Sequence, residues 1–463
     1  MGRPGRSSAP SGRDRGTHEP PGRPGARRAV AAGARGLGGA VGRRPLRAQA
    51  VTHPAEASAT VGSVYVHAPF CARRCPYCDF AVQVRRVGDL EGWSAALAGE
   101  LRAVAEEGRF PLAAELDTIF VGGGTPSLLG QGAMAALAGL LGPERLRGRT
   151  LEWTAEANPE SFSHDIALAW RAAGVNRLSL GVQSFSERAL AWMGRLHGPE
   201  GARRAVAAAR AAGLSDLSLD LIFSLPDEIE RDWRADLDAA LALDPPHISL
   251  YGLTVETGTP LARSVAEGAV HTASEERYRD EFLYAAERLA AAGYLHYEVS
   301  NFARPGHDSR HNRVYWEGGA YLGLGNGAHS FVPPLRRWNL RGWGEYAAAA
   351  GAGRLPVAGE ENLAPAARRL EWVWLGLRTD RGLPWAELGP PARGLAERWR
   401  GAGWAYQVGA RPGGPGIPGG PERLRLTPPG WLLLDRLAVE LDDALDRAAP
   451  EPSVGYQEAD PAL

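Results

Sequence analysis

Cys71, Cys75 and Cys78 are the three cysteines of this 463-residue chain, and they lie within eight positions of one another. Their spacing is C-x3-C-x2-C. Three thiolates on one tight loop can hold three irons of a [4Fe-4S] cube and leave the fourth iron open to a further ligand. A structural zinc site wants four ligands, usually in two separated pairs, and no second Cys or Cys/His pair with that spacing follows. His67, four residues before Cys71, would complete a zinc set, so zinc stays open as an alternative. A secreted disulfide framework needs an even number of cysteines spread along the chain. Three close thiols instead fit a reducing, cytoplasmic setting.

A loop needs a scaffold, and the sequence supplies one. Residues 64–67, 118–121, 151–154, 177–180, 217–223 and 247–250 read as strands, with amphipathic helical periods between them. Leu90, Trp93, Leu97, Leu101 and Val104 share one helical face; Met134, Leu137 and Leu141 share another. Trp233, Leu237 and Leu241 repeat the pattern, as do Tyr278, Phe282, Ala285 and Leu289. Such alternation implies parallel crossovers and an α/β sheet, open or closed. A polar or special residue follows each strand: His67 and the cysteines, Gly122 to Thr125, Glu156 with Asn158, Gln183, Asp220, and Tyr251. In a βα barrel those strand ends converge on one face, where active sites lie.

Composition bounds the rest. Hydrophobic residues are 44%, charged residues 23% and the formal charge is −1, which excludes wholesale disorder and gives no electrostatic case for nucleic acid or membrane. No run approaches the roughly 18 apolar residues of a membrane span. All 52 basic residues are Arg, a bias that makes the rare residue types informative. Residues 1–57 are rich in Arg, Gly, Pro and Ser and read as a disordered extension, with a transit peptide as the alternative. Residues 58–335 read as the barrel domain. Beyond a boundary near 335, helical stretches at 367–374 and 392–399, a Gly/Pro excursion over 409–421, a strand at 423–426 and a helix from about 431 suggest a small winged-helix-like module over 336–447. Residues 448–463 read as a disordered tail.

The cysteine spacing, with the aromatic Tyr77 before Cys78, resembles the radical S-adenosylmethionine (SAM) superfamily. Residues 65–71, 122–127, 181–184 and 220–226 resemble the oxygen-independent coproporphyrinogen III oxidase group within it. The likeness runs from about residue 62 to 440. It implies a partial (β/α) TIM-type barrel, a [4Fe-4S] cluster on Cys71, Cys75 and Cys78, and SAM on the open iron. Reductive cleavage of SAM then gives a 5′-deoxyadenosyl radical. By the same resemblance Tyr65, Tyr77, Gly123, Gly124, Thr125, Glu156, Gln183, Arg195 and Asp220 fall at SAM-contacting positions. Read alone, a triple glycine is often only a turn, Glu156 and Asp220 are also possible helix caps, and Arg195 is also a possible surface ion pair.

Two departures separate subgroups. The oxidases carry a fourth cysteine two places after the third, where this chain has Phe80. Residues 311–316 read His-Asn-Arg-Val-Tyr-Trp and, with residues 297–307, resemble the heme-chaperone (HemW) subgroup. That likeness implies heme binding at His311, Asn312, Tyr315 and Trp316, an acceptor hemoprotein and an electron donor for the cluster. Chemically, His311 is a candidate axial iron ligand, and Tyr315 and Trp316 offer flat apolar surface to a porphyrin. The competing reading has these residues packing the open side of the barrel, with His311 hydrogen-bonded in a core. A coproporphyrinogen oxidase remains the rival function. Ser224 and Asp227 stand where the group usually has glycine, which places the close fit of SAM there in question.

Overall fold

In a computed structural model, residues 60–409 and 421–448 are described. The expected N-terminal extension, most of the Gly/Pro excursion and the tail after 448 lie outside the described residues. Six strands alternate with helices as the sequence predicts: β1 Ser63–Ala68, β2 Thr118–Gly123, β3 Glu152–Ala157, β4 Arg177–Gln183, β5 Asp216–Phe223 and β6 His247–Gly252. They pair in parallel in that order. The sheet is extended by β7 Leu295–Glu298, β8 Asn301–Ala303 and β9 Leu322–Leu324, giving the order β9-β1-β2-β3-β4-β5-β6-β8-β7. β9 runs parallel to β1, whereas β8 and β7 are antiparallel. The result is an open, partial βα barrel.

Side chains alternate across each strand. On one face Val64, Val66, Ile119, Val121, Trp153, Ala155, Leu178, Leu180, Leu217, Leu219, Ile248 and Leu250 are buried under the helices. The helix Leu90–Glu107 buries Trp93, Leu97 and Val104 there, capped by the Asp89 side chain on Gly92 N and stopped by Gly108 at φ 76°. The other face carries Tyr65, Phe120, Thr154, Glu156, Ser179, Asp220 and Ser249, and lines the inside of the barrel. Register places Tyr65 beside Phe120 and Asp220 beside Ser249.

Residue 335 opens the second strand of a hairpin, His329–Val332 against Leu335–Asn339, which a third strand Val357–Asn362 extends. The helices Pro365–Arg378 and Pro390–Gly401, the strands Leu383–Pro384, Ala405–Val408 and Arg423–Leu426, and the helix Leu434–Ala448 follow. The three short strands form an antiparallel sheet. These elements pack on the antiparallel edge of the barrel. Trp431 donates from Nε1 to Leu377 O at 2.9 Å, and its ring meets His296 edge-on at 4.2 Å. Arg378, 4% exposed at its side chain, sits 2.5 Å from fully buried Glu298. The contact is an ion pair without hydrogen-bond alignment.

Breaking one partner of a buried pair leaves an uncompensated charge. Arg378→Ala is therefore expected to destabilise the protein by about 3–5 kcal/mol, read as a lower urea midpoint at unchanged slope. A change within error would show that water reaches Glu298.

Candidate functional site

The cysteines sit on a loop pinned at both ends. Phe70 and Cys71 pair in parallel with Gln83 and Val84. Gln83 N donates to Pro69 O at 2.7 Å, Arg85 N to Cys71 O at 2.9 Å, and Cys78 N to Cys75 O at 3.2 Å. All three thiols are free and half-buried. A chain of donors runs toward the sulfurs. Arg195 Nη2 donates to Asn158 Oδ1 at 2.6 Å, Asn158 Nδ2 to Thr125 Oγ1 at 3.0 Å, and Thr125 Oγ1 to Cys71 Sγ at 3.5 Å. Arg195 Nη1 also points at Cys75 Sγ, 3.9 Å away.

Burial pushes the Cys78 thiol up to about 11 and Cys71 in the same direction. The positive charge of a bound metal is what turns such thiols into thiolates. Three soft sulfur donors on one loop, already facing cationic and hydroxyl donors, fit a cluster with three protein ligands. His67 does not complete a zinc set: Nε2 is 3.1 Å from Ala81 O and Nδ1 is 3.0 Å from the Tyr65 hydroxyl. Among the described residues no three His, Cys, Asp or Glu side chains are arranged to hold a single metal ion.

Beside the loop, the glycine run makes a cradle. A Cβ on Gly124 would lie 2.7 Å from Ala68 O, and one on Gly122 would lie 2.8 Å from the Glu156 carboxylate. Gly123, at φ 106°, has the His67 ring where its Cβ would be, and its N–H donates to Glu156 Oε2 at 3.0 Å. Burial, reinforced by the nearby Asp220 carboxylate, raises Glu156 to about 8. Burial also raises Asp220, offset by hydroxyl donors from Ser179 at 2.9 Å and Ser218 at 3.1 Å. Neither carboxylate is a helix cap. Arg195 is not a surface pair either: its side chain is 7% exposed and its Nε has no partner. That orphaned donor suits a ligand carrying a carboxylate, as SAM does.

Backbone strain marks the same rim. Gln183 ends β4 at φ 67°, after a register shift, and a Cβ on neighbouring Gly181 would meet Gln183 Nε2 at 2.9 Å. Ser224 follows β5 at φ 58°, a conformation where glycine is unstrained, and Glu281 Oε2 holds its N–H at 2.6 Å. A side chain is therefore accommodated there at some conformational cost. Asp227 lies further out, paired with Arg277. Tyr77 packs on the cluster of Leu190, Met193 and Leu225.

Residues 311–316 take a different place. They lie on the helix Arg310–Trp316, whose first N–H groups are bound by Glu152 at the opposite end of the barrel: Arg310 N and His311 N each donate to its carboxylate at 2.9 Å. His311 is 0% exposed, with Nδ1 2.8 Å from Thr118 Oγ1 and Nε2 2.7 Å from the Tyr315 hydroxyl. Burial and the Arg177 charge hold it neutral, lowered to about 3. Trp316 packs near Tyr297 and under Arg378, and Asn312 N is bound by the Ser309 cap. An axial ligand needs a free nitrogen lone pair facing open space. His311 has neither, so the competing reading of a hydrogen-bonded core histidine describes it.

Asn158 was legible only as a scarce residue after β3, yet it joins Arg195 to Thr125. Glu160 and His197 carried no sequence signal. His197, 3.0 Å from Glu160 Oε2 and 3.1 Å from Val182 O, holds that carboxylate 3.9 Å from Arg195.

Residues 65–240 match the radical SAM superfamily. The chain is 40% identical over 337 residues to a heme chaperone HemW of Mycobacterium tuberculosis, covering 72% of this chain and 86% of that protein. It is 39% identical over 280 residues to the heme chaperone HemW of Escherichia coli, covering 58% and 70%. Similarity to the mouse mitochondrial radical S-adenosyl methionine domain-containing protein 1 is 37% over 279 residues, covering 60% and 62%. The solved coproporphyrinogen III oxidase HemN of Escherichia coli overlays with a TM-score of 0.66 at 21% identity, over 84% of this chain and 91% of that one, which establishes a shared fold.

Glu156 gives a pH signature. Its folded value of about 8 lies above that of an unfolded carboxylate, so stability falls as pH rises through the interval between the two and levels off above 8. Glu156→Gln removes that loss. The melting temperature of the variant relative to the parent should rise from pH 5 to pH 8 and then stay flat; a constant difference would refute the raised value.

Proposed function

The chain belongs to the heme chaperone HemW family of the radical SAM superfamily, and on that premise we propose that it binds heme and passes it to an acceptor hemoprotein in the cytoplasm. The observation that carries this reading is identity of 40% across 86% of a heme chaperone's length. Phe80 supports it. Its side chain is 46% exposed on the cysteine loop, where the oxidase-like pattern would have a fourth thiol.

Cys71, Cys75 and Cys78 would hold the [4Fe-4S] cluster. Gly123, Gly124, Thr125, Glu156, Gln183, Arg195 and Asp220 would hold SAM, with Tyr65 and Tyr77 closing the sides. When bound, the pair supplies one-electron chemistry, for which the cluster needs an external electron donor. The protein's own part is positional. Arg195 offers its free Nε to an anionic group. Gly122 to Gly124 keep the end of β2 pressed against residues 67–70 and Glu156, because any side chain there collides with Ala68 O, His67 or Glu156. Glu156 and Asp220 accept from hydroxyl or ammonium donors, at the cost of ionising in a buried cup. Among the described residues no helix is long and apolar enough to cross a membrane.

One anaerobic reconstitution, divided in two, tests the function. Stoichiometric heme uptake and transfer to an apo-hemoprotein, without loss of propionate carboxyl groups from coproporphyrinogen in the presence of SAM and reductant, is the expected result. Turnover of coproporphyrinogen would replace the chaperone with the oxidase. In the same preparation Cys75→Ala should lose the visible absorption and iron of the cluster. Full iron with unchanged colour would contradict the ligand assignment.

A further inference from the structure

The contacts of His311 do not stop at the barrel floor. Its ring stacks on Phe120 at 5.4 Å and 28°. Phe120 in turn lies 6.3 Å and 24° from Tyr65. The Tyr65 hydroxyl is 3.0 Å from His67 Nδ1. His67 Nε2 faces the Ala81 carbonyl, so that nitrogen must carry the ring proton and donate it; Nδ1 then accepts from Tyr65. Ala81 lies on the returning limb of the cysteine loop, three residues beyond Cys78.

From this unbroken path we infer that the 311–316 segment positions the cluster loop and the glycine cradle, through Phe120, Tyr65 and His67, and does not offer His311 to heme iron. The heme half of the inference stands on the geometry of His311 alone. The loop half rests on the cluster and SAM assignment above.

Each link is short-range and directional. A shift of the His311 ring moves the Phe120 face that Tyr65 packs on. Tyr65 sets the tilt of His67 by a hydrogen bond. His67 then acts at two points: on Ala81 O, and on Gly123, whose missing Cβ leaves the space that the imidazole fills. Both neighbour the proposed cofactor site. Ala81 O also accepts from Asn326 Nδ2 at 2.9 Å. The loop therefore has a second anchor, and loss of His67 contact displaces it without releasing it. At the floor, Glu152 ties the helix to β3 and the Thr118 hydroxyl ties His311 to β2, so the motif is fixed to the strands that carry the cradle.

The test uses the full-length protein, reconstituted anaerobically, with four variants. His311→Ala removes the stack and both side-chain bonds; His311→Gln keeps a donor and an acceptor; Phe120→Leu cuts the path without touching His311; His67→Gln alters its upper end. Three readouts are taken: heme titration by Soret absorbance, SAM affinity by equilibrium dialysis, and the electron paramagnetic resonance spectrum of the reduced cluster with and without SAM. Thermal melts report the fold.

For His311→Ala, heme affinity should stay at the parent value while SAM binding weakens about three- to tenfold, the scale of losing one or two hydrogen bonds. The SAM-dependent change in the cluster spectrum should shift with it. Phe120→Leu should reproduce this effect and His311→Gln should largely reverse it. Loss of heme binding in His311→Ala with the cluster spectrum intact would make His311 the ligand and overturn the inference. Lower melting temperatures with SAM affinity and spectra unchanged in all four would overturn it too, leaving packing alone. If the parent itself takes up no heme, the chaperone reading fails, while the SAM and spectral readouts still decide the positioning role. Should His311→Ala not fold, His311→Gln decides the heme half, an unchanged heme affinity supporting it and a lost one overturning it, and Phe120→Leu and His67→Gln decide the loop half.

Discussion

Everything in this structure depends on the two-residue period of its parallel strands. Alternation sends one set of side chains under the helices and the other into the barrel. Strands buried on both faces by apolar layers read as continuous hydrophobic runs; these do not. Glu152, Thr154 and Glu156 alternate with Trp153 and Ala155 along β3, and Ser218 and Asp220 alternate with Leu217, Leu219 and Leu221 along β5. Packed leucines would have filled this interior at less cost. Instead it is a polar cup whose carboxylates are raised by burial and whose hydroxyls answer them. Such an arrangement loses stability unless a ligand or a function compensates.

The cup has two ends with different duties. At the C-terminal ends of the strands lie the thiols, the cradle, Arg195 and three residues in left-handed or glycine-only backbone: Gly123, Gln183 and Ser224. The strain at Gln183 and Ser224, on the neighbouring ends of β4 and β5, is held by specific contacts, among them Glu281 on Ser224 N–H. Six strand residues at about 3.3 Å each span roughly 20 Å, so the opposite end is remote from that chemistry. There the helix Arg310–Trp316 closes the floor, with every polar group of His311 satisfied. A residue can match a motif and still be spent on closure, because hydrogen-bond geometry decides its availability.

How far this was legible in the sequence follows from range. The six strands and their helices were legible because periodicity is local. The cysteine loop was legible because its three thiols fall within a stretch of eight residues. The antiparallel extension β7 and β8 and the hairpin around residue 335 were not, since pairing between segments far apart leaves no local period. Asn158 and His197 act across strands, bonding to residues 33 and 37 positions away. Ser224 was flagged as an odd residue where glycine is usual; the positive φ that explains the preference is a backbone property that only coordinates reveal. His311 was ambiguous for the same reason: its spacing admits an iron ligand or a core bond, and only its two partners separate them.

Fold and family answer different questions about such a chain. An overlay at 21% identity on a porphyrinogen oxidase says that the same barrel is present, and barrels of one kind serve unrelated chemistry. Function has to be argued from what the barrel presents. Here the loop presents three thiols and an exposed phenyl ring where a fourth sulfur would stand. A phenyl ring ligates nothing, and a single half-exposed aromatic is an ordinary surface feature. The difference at that position is therefore one of ligand count, a loop with three thiols in place of four.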